Sequence, residues 1–302
     1  MKKASCFALI ACAALIGALG VEAQGFPVTV TDSLNRTVVM RVRPARIISL
    51  SPANTEILFA VGAGDRVVGV TTYCNYPPEA ASREKIGGFS AETMSLEKIL
   101  SLRPDLVVSD GAIHRRLVAS LEALGLTVYA KEPVSFDDTC AAIKDIGALT
   151  GNAADAAAVV GGMRARLAAV QARLSAVPNS GRPAVFWEVF DEPLMTAGKG
   201  AFVTELLTLA GGKNIFGSFP VAWPQVSEEE VIRLNPAVIM GADDHGDKLT
   251  VEQVKKRPGW AKMDAVAGGR IYLVNADIVS RAGPRLAEGV EAIARALYPK
   301  LF

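Results

Sequence analysis

Residues 153–176 form an Ala- and Arg-rich stretch with no proline, and this uninterrupted run divides the chain into two halves of similar character. If fully helical it measures about 36 Å, enough to cross a small domain. Gly161-Gly162 weakens it locally, by up to about 1 kcal/mol each relative to Ala, and Pro178-Asn179-Ser180-Gly181 breaks it. On either side, short β-rich runs alternate with helical stretches, the pattern of parallel α/β layers. The expected fold is therefore α/β, two lobes with mostly parallel central sheets joined by a single long α-helix. The boundaries read as an N-terminal lobe over 24–151, a connecting helix over 152–177 and a C-terminal lobe over 178–302.

In the first half, strands are expected over 46–50, 67–70, 106–108 and 127–130. Helices are expected over 55–61, 95–100 and 115–124, with a further one capped by Asp137 or Asp138 and closed by Gly151. In the second half, strands fall at 184–189, 237–240 and 270–274, and helices at 202–209, 227–234, 251–256 and 284–297. The halves also echo each other. Ser95-Leu96-Glu97-Lys98-Ile99 before Arg103-Pro104-Asp105-Leu106 parallels Ser227-Glu228-Glu229-Glu230-Val231 before Asn235-Pro236-Ala237-Val238. Each reads as a Ser-capped helix, a proline turn and an apolar strand, and duplication of a βα unit is the simplest account.

The chain starts like an export signal. Lys2 and Lys3 precede an apolar run over 4–19, and Val21-Glu22-Ala23 offers a small-residue cleavage site before Gln24. The run is too short and wrongly flanked for a membrane span. Lipid attachment at Cys12, on Leu9-Ile10-Ala11-Cys12, is the weaker reading, because it leaves an unusually short apolar core and an apolar mature start. Residues 1–23 carry two Lys and one Glu of the 32 basic and 31 acidic residues, so the remainder is charge-balanced. A balanced chain offers no basic stripe for nucleic acid. Of the four cysteines, Cys6 and Cys12 lie in the leader. Cys74 and Cys140 remain, free to bridge in an oxidising compartment or to stay as thiols. With no CxxC and no Cys/His cluster, no metal site is expected.

Catalytic teams are missing as well. The two histidines, His114 and His245, sit in polar contexts that suggest solvated surface. There is no nucleophile elbow, phosphate-binding loop or paired-His motif, so acid/base and nucleophilic chemistry have no candidates. Not an enzyme is the reading. What stands out are aromatic and polar residues just beyond the strands, where α/β sheets bind ligands. Tyr73 and Tyr76 follow one strand, Phe89 follows Gly87-Gly88, and Asp277 and Arg281 follow another strand. Trp187 lies within a strand and suits a core. Trp223, beside Pro224, is an expensive surface unless something covers it.

Several stretches carry a family resemblance: Ile48-Ser49-Leu50-Ser51-Pro52-Ala53-Asn54-Thr55-Glu56, Tyr73-Cys74-Asn75-Tyr76-Pro77-Pro78, Gly211-Gly212-Lys213-Asn214-Ile215-Phe216, Trp223-Pro224-Gln225-Val226-Ser227 and Arg281-Ala282-Gly283-Pro284-Arg285. From residue 46 to 299 the chain resembles the periplasmic solute-binding family that serves iron-siderophore, haem and vitamin B12 importers, nearest to its B12 branch. The resemblance implies two Rossmann-like lobes with the ligand between them. It implies that Tyr73, Phe89 and Trp223 line a cobalamin or related corrinoid, with Asp277 and Arg281 as polar contacts. Phe89 stands where the B12 binder has Trp, Asp110 where it has another aromatic, and Met195 where it has Phe. It also implies that Glu97 and Glu229, one per lobe, dock a monomeric binder onto arginines of an ABC importer permease with its ATPase. Glu228 and Glu230 are neighbours able to share that role. No cofactor is expected, since a corrin brings its own coordinated metal. A ferric siderophore or haem on the same fold is the alternative.

Overall fold

The computed structural model describes residues 25–243 and 250–302. The leader and His245 lie outside them. An antiparallel hairpin, β1 (Val28–Thr31) and β2 (Thr37–Met40), precedes the first α/β unit. The N-terminal lobe then runs β3 (Ile47–Ser49), α1 (Pro52–Ala60), β4 (Val67–Val70), β5 (Glu84–Lys85), α2 (Leu96–Ser101), β6 (Leu106–Ser109), α3 (Arg115–Ala123), β7 (Val128–Ala130) and α4 (Phe136–Thr150). After α5 (Ala153–Leu174) come β8 (Ala184–Asp191), β9 (Leu194–Thr196), α6 (Phe202–Leu209), β10 (Lys213–Asn214), α7 (Glu228–Leu234) and β11 (Val238–Ala242). The chain ends with α8 (Val251–Lys256), α9 (Asp264–Ala267), β12 (Ile271–Val274), α10 (Ala276–Ser280) and α11 (Leu286–Leu297).

The N-terminal sheet has the order β5-β4-β3-β6-β7 and is parallel throughout. Its central strands are buried on both faces, as helices on each side require. The C-terminal sheet runs β10-β8-β11-β12, also parallel, with β9 folded back antiparallel onto β8. The echo between halves extends to the backbone. Ser95 and Ser227 each cap their helix by accepting the N–H three residues on. Arg103 and Asn235 each take a left-handed φ, +46° and +43°, immediately before a proline.

Helix α5 packs against α4 in one lobe and α11 in the other. Its buried residues Val160, Met163, Val170 and Leu174 join a single apolar core that runs from Ile47 through to Ile293. Arg166 on its outer side pairs with Glu288 at 2.7 Å and Glu291 at 3.3 Å, both on α11. Gly161 and Gly162 face solvent with nothing near a would-be Cβ, so the weak point falls where no packing depends on it.

Local expectations change in two places, and a third choice left open by the sequence is resolved. Helix α1 begins at Pro52, because Ser51 caps it by accepting from Asn54 N–H and a proline suits the first helical position. Helix α4 is capped by Ser135, which accepts from Asp138 N–H at 2.9 Å, so Asp137 and Asp138 fall in the first turn instead. Of the two states open to Cys74 and Cys140, the structure has the unbridged one. Both thiols are free and buried; Cys74 Sγ is held 3.1 Å from the hydroxyls of Thr55 and Thr71, and burial pushes the Cys140 thiol pKa up.

Candidate functional site

Following β3, β4, β6, β7 and β12 out of their carboxyl ends leads to one cleft between the lobes, the place where open α/β sheets bind ligands. Ser51 and Asn54 follow β3, Tyr73 follows β4, Asp110 follows β6, and Glu132 and Pro133 follow β7. From the other lobe come Trp187 and Glu188 of β8 and residues 276–282, just beyond β12. The space divides into two adjoining cavities of about 700 and 370 Å³ that share Pro133, Ser280 and Ala282. Tyr73, Phe89, Asp277 and Arg281 line the larger one; Trp223 lines the smaller.

The aromatic residues are open to solvent in a way cores do not permit. Tyr73 is 59 % exposed, Trp223 47 % and Phe89 39 %. Such exposed rings around a concavity mark a ligand site. Their loops are held by backbone geometry. Gly87 has a φ of +122°, and a Cβ there would come 2.2 Å from the Thr93 carbonyl, so only glycine makes the turn before Phe89. The Trp223 loop is pinned when Gly198 and Thr196 donate to the carbonyls of Ala222 and Pro224.

Five of the expected contacts thus meet at the cleft, and one does not. Met195 lines neither cavity. It bridges to Gln225, so its position holds the Trp223 loop rather than the ligand wall. Trp187, which suited a core, is almost fully buried yet supplies part of the smaller cavity's wall. Tyr76 turns away from the cleft into a separate groove, with the Arg285 guanidinium 4.0 Å above its ring.

His114 requires a correction, since it is fully buried rather than solvated. Its Nε2 lies 2.8 Å from the Phe89 carbonyl, and its Nδ1 3.1 Å from Ser109 Oγ. A carbonyl only accepts, so Nε2 carries the proton and the imidazole straps the Phe89 loop to β6. Its ring also packs edge-on against Phe89, with centroids 5.9 Å apart.

The polar wall is more elaborate than the sequence suggested. Asp277 and Arg281 occupy the short helix α10 and the residue after it, so their i,i+4 spacing pairs them at 2.5 Å. Arg281 also donates to Glu56 Oε1 at 2.9 Å and to Asn75 Oδ1 at 2.7 Å. Arg285 completes a double hydrogen bond to Glu56, at 2.8 and 2.7 Å. Glu56 sits on α1 and both arginines belong to the C-terminal lobe, so a buried carboxylate pins the lobes together. Glu56 and Arg285 lay inside the stretches quoted for the resemblance but carried no signal of this partnership. Asp110 Oδ1 accepts from Ser51 Oγ at 2.8 Å and from Asn54 Nδ2 at 2.9 Å. Burial raises its pKa to about 6, opposed by the Ser51 hydrogen bond and by His114.

Outside the lining of both cavities, Glu97 and Glu229 are exposed in the first turns of α2 and α7 and form no ion pair among the described residues. Their neighbours are engaged: Glu228 accepts from Trp260 Nε1 at 3.1 Å, and Glu230 pairs with Arg233.

A family model described as periplasmic binding protein matches residues 47–278. An uncharacterised ABC transporter substrate-binding lipoprotein of Bacillus subtilis is 36 % identical over 286 residues, 93 % of this chain and 88 % of that protein. A vitamin B12-binding protein of Salmonella paratyphi A is 34 % identical, covering 83 % of this chain and 90 % of its own length. Among solved structures, the periplasmic vitamin B12-binding protein of Vibrio cholerae superposes with a TM-score of 0.73 at 30 % identity, over 85 % of this chain and 97 % of that one.

Proposed function

Because the chain belongs to the periplasmic binding protein family, we propose that it captures cobalamin or a related corrinoid outside the cytoplasm and passes it to an ABC importer. One observation carries the choice of ligand: solvent-open Tyr73, Phe89 and Trp223 face a two-part cleft whose walls set polar side chains such as Ser51, Asn54 and Asp110 beside the rings. A corrin is a broad, largely apolar disc with a polar rim. Flat rings bind its faces by buried area, and a few hydrogen bonds set its orientation. The corrin already coordinates its metal, so the protein need not supply a ligand to it.

A ferric chelate or haem asks for something different. Both carry carboxylates or other anionic groups that want cations. Arg281 is the basic side chain among the residues lining the two cavities, and Glu56 and Asp277 already hold it. The charge pattern therefore supports the corrinoid reading over the siderophore or haem one.

Titration of the mature chain with cyanocobalamin is expected to quench tryptophan fluorescence saturably. A flat response beside a saturable one with haem or a ferric siderophore would overturn the assignment. Binding followed by release to the importer, with no chemical change to the ligand, is the whole activity proposed.

Delivery is assigned to Glu97 and Glu229. Each offers a solvated carboxylate on a separate lobe, so a permease bearing arginines could read both lobes at once. A glutamate this early in a helix also gains about 0.3–1 kcal/mol from the helix dipole. Glu97→Ala combined with Glu229→Ala is expected to leave corrinoid affinity within twofold and to abolish uptake in cells carrying the importer. Normal uptake in that double variant would remove the docking role. The apolar run over 4–19 supports export of a soluble protein, and among the described residues no helix is long and apolar enough to cross a membrane.

A further inference from the structure

The larger cavity is lined by a carboxylate whose second oxygen has no hydrogen-bond partner among the described residues. Asp110 Oδ1 is saturated by Ser51 and Asn54. Oδ2 makes no hydrogen bond among the described residues, although the residue lines the cavity beside Tyr73 and Phe89. Glu132 stands on the same wall, one of its oxygens accepting from Ala112 N–H at 2.8 Å.

Among the described residues, no Lys or Arg forms an ion pair with either carboxylate. His114, beneath Asp110, has both ring nitrogens occupied by the Phe89 carbonyl and Ser109 Oγ. Across the cavity, Arg281 faces the wall but is already bonded to Glu56, Asp277 and Asn75. Four charged groups there, Glu56, Asp277, Arg281 and Arg285, cancel one another within a single cluster. The net field from the lining residues is negative, and it is concentrated on the N-terminal wall.

We propose that Asp110 is a specificity residue: its free oxygen accepts from an N–H donor on the ligand rim, such as a primary amide, and repels a carboxylate placed at the same point. The inference rests on the corrinoid reading and narrows it to rims that are amidated where they meet this wall. A like charge opposed in a partly desolvated site is penalised by several-fold to a thousandfold in affinity, whereas an amide finds a ready acceptor. The Asp110 pKa of about 6 makes the discrimination titratable. Once protonated, the side chain donates to a carboxylate as readily as it pairs with an amide.

The test compares cyanocobalamin with its three single-amide hydrolysis products, the corrin monocarboxylates, by fluorescence titration. On the native chain at pH 7.5, at least one monocarboxylate is expected to bind about tenfold more weakly than cyanocobalamin. The gap should close to within about threefold in Asp110→Asn at pH 7.5, and in the native chain at pH 5.2. Circular dichroism establishes that the variant is folded, and if it is not, the native pH series decides alone. Glu132→Gln is expected to close the gap less, since that carboxylate is partly committed to Ala112. Equal binding of all four ligands to the native chain would overturn the inference, as would a gap that persists unchanged at pH 5.2 and in folded Asp110→Asn. If cyanocobalamin itself fails to bind, the corrinoid reading falls and takes this inference with it, a result distinct from either of those.

Discussion

On the N-terminal wall of the cleft, Asp110 and Glu132 form no ion pair among the described residues. On the C-terminal side, Glu188 is clamped by Arg257 at 2.5 and 2.7 Å, and Asp277 by Arg281 at 2.5 Å. The Arg257 guanidinium is itself stacked 4.6 Å from the Trp260 ring centroid. One wall keeps acidic groups open at the expense of its own solvation, while the other uses them as framework. The difference separates residues that hold the cleft's shape from residues that meet what enters it. A buried pair contributes little net stability as a unit, but losing one partner strands the other charge.

The largest effect should come from breaking the framework. Arg257→Met leaves Glu188 buried and unpaired, in a site where burial already raises its pKa. A loss of about 3–5 kcal/mol in unfolding free energy is expected, read by denaturant titration. If the midpoint hardly moves, Glu188 is not a structural carboxylate, and the contrast between the walls collapses. Next in size is Trp223→Ala. Removal of a central ring should weaken cyanocobalamin by about 2 kcal/mol, roughly thirtyfold, with the melting temperature nearly unchanged because the ring is half exposed. An unchanged affinity would place the ligand elsewhere.

The smallest expected effect has an unusual sign. The Asp110 pKa of about 6 exceeds the unfolded carboxylate value near 4. The folded state therefore holds the extra proton between those values, and the stability it contributes is lost as pH rises through that window. Asp110→Asn removes the cost of a buried charge, so it should stabilise the chain by roughly 1–2 kcal/mol at pH 7.5 and by almost nothing at pH 4. Equal melting shifts at both pH values would show that the carboxylate is well solvated, and the two walls would then differ less than their ion pairs suggest.

Much of the architecture was readable before any coordinates. The strands at 67–70 and the helices at 202–209 and 251–256 fall where apolar spacing and caps place them. The helix after Asn152 is cut short only at Leu174. Tyr73 was visible as a ring just beyond a strand, and Phe89 and Trp223 as rings beside Gly and Pro. Misplaced residues share a cause. His114 looks polar in sequence, yet its ring is buried between two partners 5 and 25 positions away. Met195 carries no pattern that separates a ligand wall from the strand supporting one.

The one-dimensional pattern determined what local physics can decide: which segments are helix or strand, that an unbroken helix separates two similar halves, and which loops carry rings that water alone should not cover. Propensity, capping and alternation act over a few residues, so they survive translation from chain to structure. Only the tertiary structure decided which charges are spent on one another. Glu56 reaches Arg281 and Arg285 across 225 and 229 positions, while Asp110 keeps an oxygen for the cleft. Whether a charge is paired depends on what folding brings within about 4 Å of it, and no spacing along the chain encodes that distance.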